Sequence, residues 1–466
     1  MDRLGSLDAE FLHLEDQINH MHIAGVCIFD GTPPTLDELG ALIESKLDAI
    51  PRYRQVVRNV PLELGRPVWV DDPHFRIEYH LRHTALPAPG GTAELEALMG
   101  RLMSQALDRA RPLWETWLVE GLEGGRWALI FKVHHCMVDG ISGVGLLTAL
   151  LDLSPDEGEP AAPVPWTPTP APGTAELLAG AAAGFVHDGA ALMANLPDYL
   201  LHPDRGLRRA GALAAGVGRL ARNLSLTAPS HLAGSIGPHR SWSHSVVPFD
   251  SIRQVRAGLG GTVNDVVLAA VTGAYRRVLL TDGDDVEPTT VTTLVPVSVR
   301  TADGDGIPDN RVSALLLELP VELDDPLARL DAVRTRMDTL KVSHMDDAGE
   351  FLVRLGNLAP PALLSGATRL GMRAQQVASQ RSVTTVTTNV PGPQFPIYCL
   401  GRELLGYLPF VPIIQGMRIG TAILSYNGQL AFGVTGDLDA RDEVQLLAAA
   451  IVDELDQLVA AAERTS

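Results

Sequence analysis

Between Trp127 and Gly140 the chain passes without a break from apolar residues to ionisable ones. Trp127-Ala128-Leu129-Ile130-Phe131 leads into Lys132-Val133-His134-His135-Cys136-Met137-Val138-Asp139-Gly140. The apolar run predicts a strand, and the apolar stretch Ile141 to Leu153 that follows predicts a helix. A strand that ends in polar residues at a turn holds those residues rigidly at the mouth of a site. Histidine is the side chain best suited to accept a proton near neutral pH, because its unperturbed pKa is about 6.5.

Residue chemistry leaves several uses for this stretch. Cys136 beside two histidines suggests a thiol nucleophile, but adjacent residues of an extended chain point apart. A zinc site at His134 and His135 lacks both the H-E-x-x-H spacing and a cysteine pair. Gly140-Ile141-Ser142-Gly143 does not supply the G-x-S-x-G of a serine hydrolase. His135 and Asp139 are four apart, a spacing that on a helix would make a His–Asp dyad.

Bulk composition narrows the field. The 466 residues are 46% hydrophobic and 20% charged, an ordinary globular balance, and the length suggests two to four domains, or two large ones. With 37 basic and 56 acidic residues the formal charge is −19. That argues against a nucleic-acid partner and against adhesion to anionic lipid by the whole surface. Cys27, Cys136 and Cys399 are widely separated, as expected in a reducing cytoplasm. Met1-Asp2-Arg3-Leu4-Gly5 lacks the plan of a signal peptide, and no apolar run approaches a membrane span. The expected location is the cytoplasm, with peripheral attachment to a membrane or lipid droplet left open.

Along the chain, His20 to Gly31 reads as a strand ending in an Asp-Gly turn. His20 and His22 alternate on it, and with no further ligand in evident spacing they read as structural. Pro33 to Ile50 and Leu95 to Leu107 carry helical periodicity. Arg52 and Arg54 follow the first of these as a basic turn. Trp114–Val119 and Trp127–Val133 are expected to pair as a hairpin. Seven prolines between Ser154 and Gly173 mark a linker. Ala175 to about Leu201 reads as helical, and Arg205 to Leu224 as a locally basic amphipathic segment suited to a surface helix or a lipid face. A strand at Ser243–Phe249 and a helix at Ser251–Leu259 follow. A second helix opens near Gly260-Gly261-Thr262-Val263-Asn264-Asp265, with Thr262 or Asn264 as its cap. The unpaired N–H groups of such a terminus suit phosphate or a developing oxyanion. Strands are expected at Val291–Val299, Thr384–Val390, Val411–Gly416, Ala422–Tyr426 and Leu430–Thr435. Asn427-Gly428 makes a hairpin turn, and Arg441–Glu463 a final helix. The division expected is 1–153, a connection 154–240, and 241–466.

The pattern H-H-x-x-x-D-G at His134–Gly140 resembles the signature of the acyltransferases that share the chloramphenicol acetyltransferase fold. Pro112-Leu113-Trp114, Asn264-Asp265, Asn310-Arg311-Val312-Ser313 and Asn389-Val390-Pro391-Gly392-Pro393 occur in the same order as in the bacterial wax ester synthase/diacylglycerol acyltransferases, and the opening resembles their actinobacterial members. The chain departs from that family at Leu232-Ala233-Gly234, where relatives often show Leu-Asn-Gly. The resemblance implies a mixed α/β fold of two such domains with a channel between them. Acyl-CoA would enter as co-substrate from one side and the alcohol from the other, with no cofactor or metal. It implies that His135 is the general base, that His134 supports it, and that Gly140 allows a tight backbone path. It also implies that Asp139 turns from the histidine to an arginine, for which Arg52 and Arg54 are candidates. Asn264 or nearby backbone N–H groups are the candidate oxyanion donors. The expected reaction moves a long-chain acyl group to diacylglycerol or a long-chain alcohol. The alternatives are a condensation-type enzyme with a carrier-bound donor, or a non-catalytic lipid-binding relative.

Overall fold

The computed structural model describes residues 2–138, 149–156, 165–183, 231–287, 289–298, 312–344 and 383–465. Its strands are β1 (Asp2–Arg3), β2 (His22–Phe29), β3 (Gln55–Arg58), β4 (Val68–Asp71), β5 (Leu81–Ala85), β6 (Trp114–Leu122), β7 (Arg126–His134) and β8 (Arg240–Pro248). β9 (Val291–Ser298), β10 (Val312–Leu319), β11 (Thr385–Val390), β12 (Tyr398–Cys399), β13 (Arg402–Phe410), β14 (Ile419–Tyr426) and β15 (Gln429–Asp437) follow. The described helices are α1 (Ser6–Leu14), α2 (Leu36–Lys46), α3 (Thr92–Met103), α4 (Thr174–Ala183), α5 (Phe249–Leu259), α6 (Val263–Thr281), α7 (Pro326–His344) and α8 (Arg441–Thr465). Parallel and antiparallel pairs mix, so the fold is mixed α/β as expected.

The first six-stranded sheet runs β12-β13-β2-β7-β6-β5. The apolar run at Trp127 forms β7 near its middle, and every residue from Trp127 to His134 is buried. Alternation sorts the side chains: Trp127, Leu129, Phe131 and Val133 pack with Phe29 and α2, while Ala128 and Ile130 pack with α3. β6 and β7 form the expected hairpin, with Trp114 opposite Val133.

The second six-stranded sheet runs β10-β9-β11-β14-β15-β8. Asn427 and Gly428 take positive φ (41° and 80°) and turn β14 into β15, the backbone that a two-residue hairpin of this hand requires. One face of this sheet is covered by α5, α6, α7 and α8 around Phe432, Ile423 and Val434. Ala431 of the same sheet and Trp242 of β8 belong instead to the α3 core.

Two devices knit the sheets together. β8 lies against α3, where the Arg240 amide donates to Ser104 Oγ (2.8 Å) and Ser243 Oγ donates to Glu96 (2.8 Å). After β11 the chain crosses over, adds β12 and β13 to the first sheet beside β2, and returns to the second as β14. At the crossing the Pro409 carbonyl accepts from Trp242 Nε1 (3.2 Å). It lies where a Cβ on Gly433 would stand only 1.8 Å away, so no larger residue fits there. The expected strand at Val411–Gly416 is not formed. Arg402–Phe410 is the strand, and the apolar run after it is irregular chain between the sheets.

Most of the connection 184–230, including the basic segment 205–224, lies outside the described residues, as do the helix expected from Ile141 as far as Thr148 and the Asn310-Arg311 part of that block. The proline segment is described from Pro165: chain without regular secondary structure, whose Thr169 N–H donates to Asp71 of β4 (2.9 Å). Among the described residues no single helix is long and apolar enough to cross a membrane.

Candidate active site

β7 ends at His134, and His135–Met137 form one 3-10 turn at its tip. His134 is wholly buried. Its N–H donates to the Leu113 carbonyl (2.9 Å), so the Pro112-Leu113-Trp114 block holds the end of the strand. Trp114 is itself locked, with Nε1 donating to the Tyr53 carbonyl (2.9 Å) and its ring against His80 and Tyr53. The Nδ1 of His134 accepts from the Cys136 N–H (3.2 Å) and caps the 3-10 turn. An accepting Nδ1 places the neutral ring's proton on Nε2. That atom faces Glu15 Oε2 at 3.5 Å.

Glu15 and Arg109 are the residues that sequence reasoning missed. Glu15 follows α1 directly and its carboxylate is nearly fully buried. Arg109 Nε (2.9 Å) and Nη2 (2.7 Å) both donate to its Oε2, and the Met21 N–H donates to Oε1 (3.3 Å). Burial opposes ionisation of this carboxyl, but His134 and Arg109 outweigh it and hold its pKa down at about 2. The Met21 carbonyl in turn accepts from the His135 N–H (2.8 Å). The second half of the chain clasps the same segment: Arg240 donates to the Ile18 carbonyl, and the Gln415 N–H donates to Asn19 Oδ1 (2.8 Å). An acid closing a helix and an arginine three residues before Pro112 were the only signals available.

His135 is half-buried, with its ring centroid 3.9 Å from that of Phe11 on α1. Burial pushes its pKa down to about 4. At neutral pH it is therefore an uncharged imidazole on a fixed backbone, able to accept a proton. Cys136 is buried and its thiol pKa is raised by burial, the opposite of an activated nucleophile.

Asn264 occupies the first turn of α6. Thr262, not Asn264, is the cap: Thr262 Oγ1 accepts from the Asp265 N–H (3.2 Å), and Asp265 Oδ2 accepts from the Thr262 N–H (2.8 Å). Asp265 thus serves the helix terminus. Asn264 Oδ1 accepts from Asn389 Nδ2 (2.8 Å), joining the Asn-Asp block to the Asn-Val-Pro-Gly-Pro block. This fixes the Asn264 amide with its NH2 as the remaining donor group. The histidine cluster belongs to the first sheet and the asparagine pair to the second. Among the described residues no hydrogen bond joins them.

Arg52 pairs with Asp2 (2.6 Å) and lies over Trp69, while Arg54 pairs with Asp48 (2.7 Å) and lies over Trp166. Asp139 and Gly140 lie outside the described residues. His22 Nε2 is 3.0 Å from the Met103 carbonyl and its ring stacks on His20. Lys132 donates to the Leu102 (2.9 Å) and Gln105 carbonyls at the end of α3, and burial lowers its pKa to about 8. Leu232-Ala233-Gly234 runs against the 416–418 segment through Gly234 O and Leu232 O, with Ala233 half-buried.

A wax ester synthase/diacylglycerol acyltransferase catalytic domain model matches residues 4–267, and the C-terminal domain model of the same family matches 309–459. The chain belongs to the wax ester synthase/diacylglycerol acyltransferase family. It is 35% identical, over 100% of its own length and 97% of the relative's, to the Mycobacterium tuberculosis protein named "Probable diacyglycerol O-acyltransferase tgs1". The solved wax ester synthase/diacylglycerol acyltransferase from Marinobacter aquaeolei VT8 superposes with a TM-score of 0.69 at 25% identity, covering 99% of this chain and 100% of that one. A trichothecene 15-O-acetyltransferase from Fusarium sporotrichioides shares the fold, with a TM-score of 0.63 at 13% identity over 98% of this chain and 94% of that one. The protein is an acyltransferase.

Proposed function

We propose that this acyltransferase moves a long-chain fatty acyl group from acyl-CoA to the free hydroxyl of diacylglycerol, and secondarily to long-chain alcohols. His135 is the general base. A ring nitrogen takes the hydroxyl proton as the alcohol oxygen bonds to the thioester carbonyl carbon. The tetrahedral oxyanion is met by the Asn264 NH2, whose partner oxygen is held by Asn389. The C–S bond then breaks, and the proton passes from His135 to the departing CoA sulfur. Holding both reactants in one channel makes a covalent acyl-enzyme unnecessary. Neither a metal nor an organic cofactor takes part.

The observation that carries this reading is the placement of His135, fixed at the tip of a buried strand through Met21, Leu113 and Glu15. Asp139 is proposed to support the turn through an arginine rather than to form a dyad, with Gly140 easing the path of the loop. The acceptor preference follows the name of the mycobacterial relative. The enzyme is proposed to act in the cytoplasm at a membrane or lipid-droplet surface, where such acceptors reside. The test is acyl transfer by purified protein from palmitoyl-CoA to dioleoylglycerol and to hexadecanol, with free CoA monitored. Triacylglycerol formation exceeding wax ester formation supports the assignment. Tight acyl-CoA binding without CoA release to either acceptor overturns it.

A further inference from the structure

A cavity of about 270 Å³ opens beside the His134 anchor, lined in part by Leu12, Glu15, Val60, Glu63, Gly65 and Arg109. Its rim carries the loop from Asn59 to Gly65, whose middle is a short 3-10 turn, Pro61–Glu63. Leu62 is 83% exposed and Leu64 52% exposed. The side chain between them belongs to Glu63, which lines the cavity. Leu62 and Glu63 both take positive φ (59° and 53°), a conformation that residues other than glycine seldom adopt. The chain therefore holds Leu62 outward in an unfavourable backbone state, with Leu64, itself at an ordinary φ of −74°, exposed two residues on. Leu7 of α1, the helix whose Leu12 forms another wall, is also 44% exposed.

The exposed residues are aliphatic, whereas protein-binding hot spots favour tryptophan, tyrosine and arginine over leucine. Arg58, which is exposed, stands just before the loop on a chain of net charge −19. Outward aliphatic side chains beside an exposed arginine suit the headgroup boundary of a lipid layer. We propose that the Asn59–Gly65 loop is a lipid-surface anchor: Leu62 and Leu64 enter the interface of a phospholipid bilayer and set the mouth of the Glu15 cavity against it. This deepens the proposed function, since a lipid-dissolved acceptor would reach the enzyme from that phase.

The test compares wild type with Leu62→Asn/Leu64→Asn; asparagine tolerates positive φ, so the loop backbone is kept. Flotation on phosphatidylcholine vesicles with and without dioleoylglycerol should show the double variant binding roughly ten- to a hundredfold more weakly. Turnover of vesicle-borne dioleoylglycerol should fall with binding, while turnover of a water-soluble short-chain diacylglycerol stays unchanged. A variant that floats like wild type overturns the proposal, and so does an equal loss on the soluble acceptor. Wild-type protein that floats through these leucines yet acylates neither acceptor leaves the anchor standing and removes the proposed reaction instead.

Discussion

Replacing Glu15 by glutamine changes one buried oxygen to NH2, and the structure states what that group would meet. Oε2 accepts from Arg109 twice and faces His134 Nε2, while Oε1 accepts from the Met21 N–H. Every neighbour is a donor. If the amide oxygen stays with Arg109 and His134, the NH2 opposes the Met21 N–H. If it turns, the NH2 opposes Arg109 and His134 Nε2–H. Either way one buried donor loses its acceptor, a penalty of about 1–3 kcal/mol. Arg109 is half-exposed and regains water, so we place the loss of folding stability near 2 kcal/mol. The damage also reaches chemistry, because the Met21 carbonyl holds the His135 N–H and His134 Nδ1 caps the turn that carries His135. We expect turnover to fall on the order of tenfold, the rate equivalent of about 1.4 kcal/mol of lost positioning. Denaturant unfolding with CoA-release kinetics on the same preparations reads both numbers. A Glu15→Gln protein with wild-type midpoint and wild-type turnover would refute the positioning argument.

Four other outcomes follow from the geometry. His135 has a folded pKa of about 4 against about 6.5 unfolded, so protonation favours the unfolded chain; its contribution, about 3 kcal/mol, is complete above pH 6.5 and lost as pH falls toward 4, and melting followed across that window should show the decline, whereas His135→Gln should flatten it. Asn264→Ala removes the proposed oxyanion donor and should lower kcat by on the order of a hundredfold with the acyl-CoA binding constant little changed; an unchanged kcat excludes the role. Cys136→Ala should keep turnover within about twofold, because a buried thiol with a raised pKa is no nucleophile; abolished turnover in a folded Cys136→Ala protein would reopen the thiol mechanism. Glu454→Gln leaves the guanidinium of Arg329, 3% exposed, without its buried counter-charge on α8 and should destabilise by about 3–5 kcal/mol in denaturant unfolding.

What the sequence made legible was local. The β6–β7 hairpin, the start of α6 and the Asn427-Gly428 turn were all readable, because periodicity and turn chemistry act over a few residues. What escaped was set by distant partners. β13 carries Gly406 and Pro409, residues that weaken a strand pattern, and it is a strand because β2 lies beside it. Val411–Gly416 looked more strand-like and had no partner. Glu15 lies 119 residues before His134, so nothing near the histidines announces it. Asn264 was named from its motif, while its link to Asn389 required β11 to pair in parallel with β14 in the second sheet.

The central claim is that His135 takes the acceptor's proton during direct transfer from the thioester. The most direct measurement is simultaneous release of CoA and formation of triacylglycerol from palmitoyl-CoA and dioleoylglycerol, for wild type and for His135→Ala. The account predicts the two products one for one in wild type, and a rate lower by about 10²–10⁴ in a variant that still folds. A folded His135→Ala protein that forms triacylglycerol at the wild-type rate would contradict it.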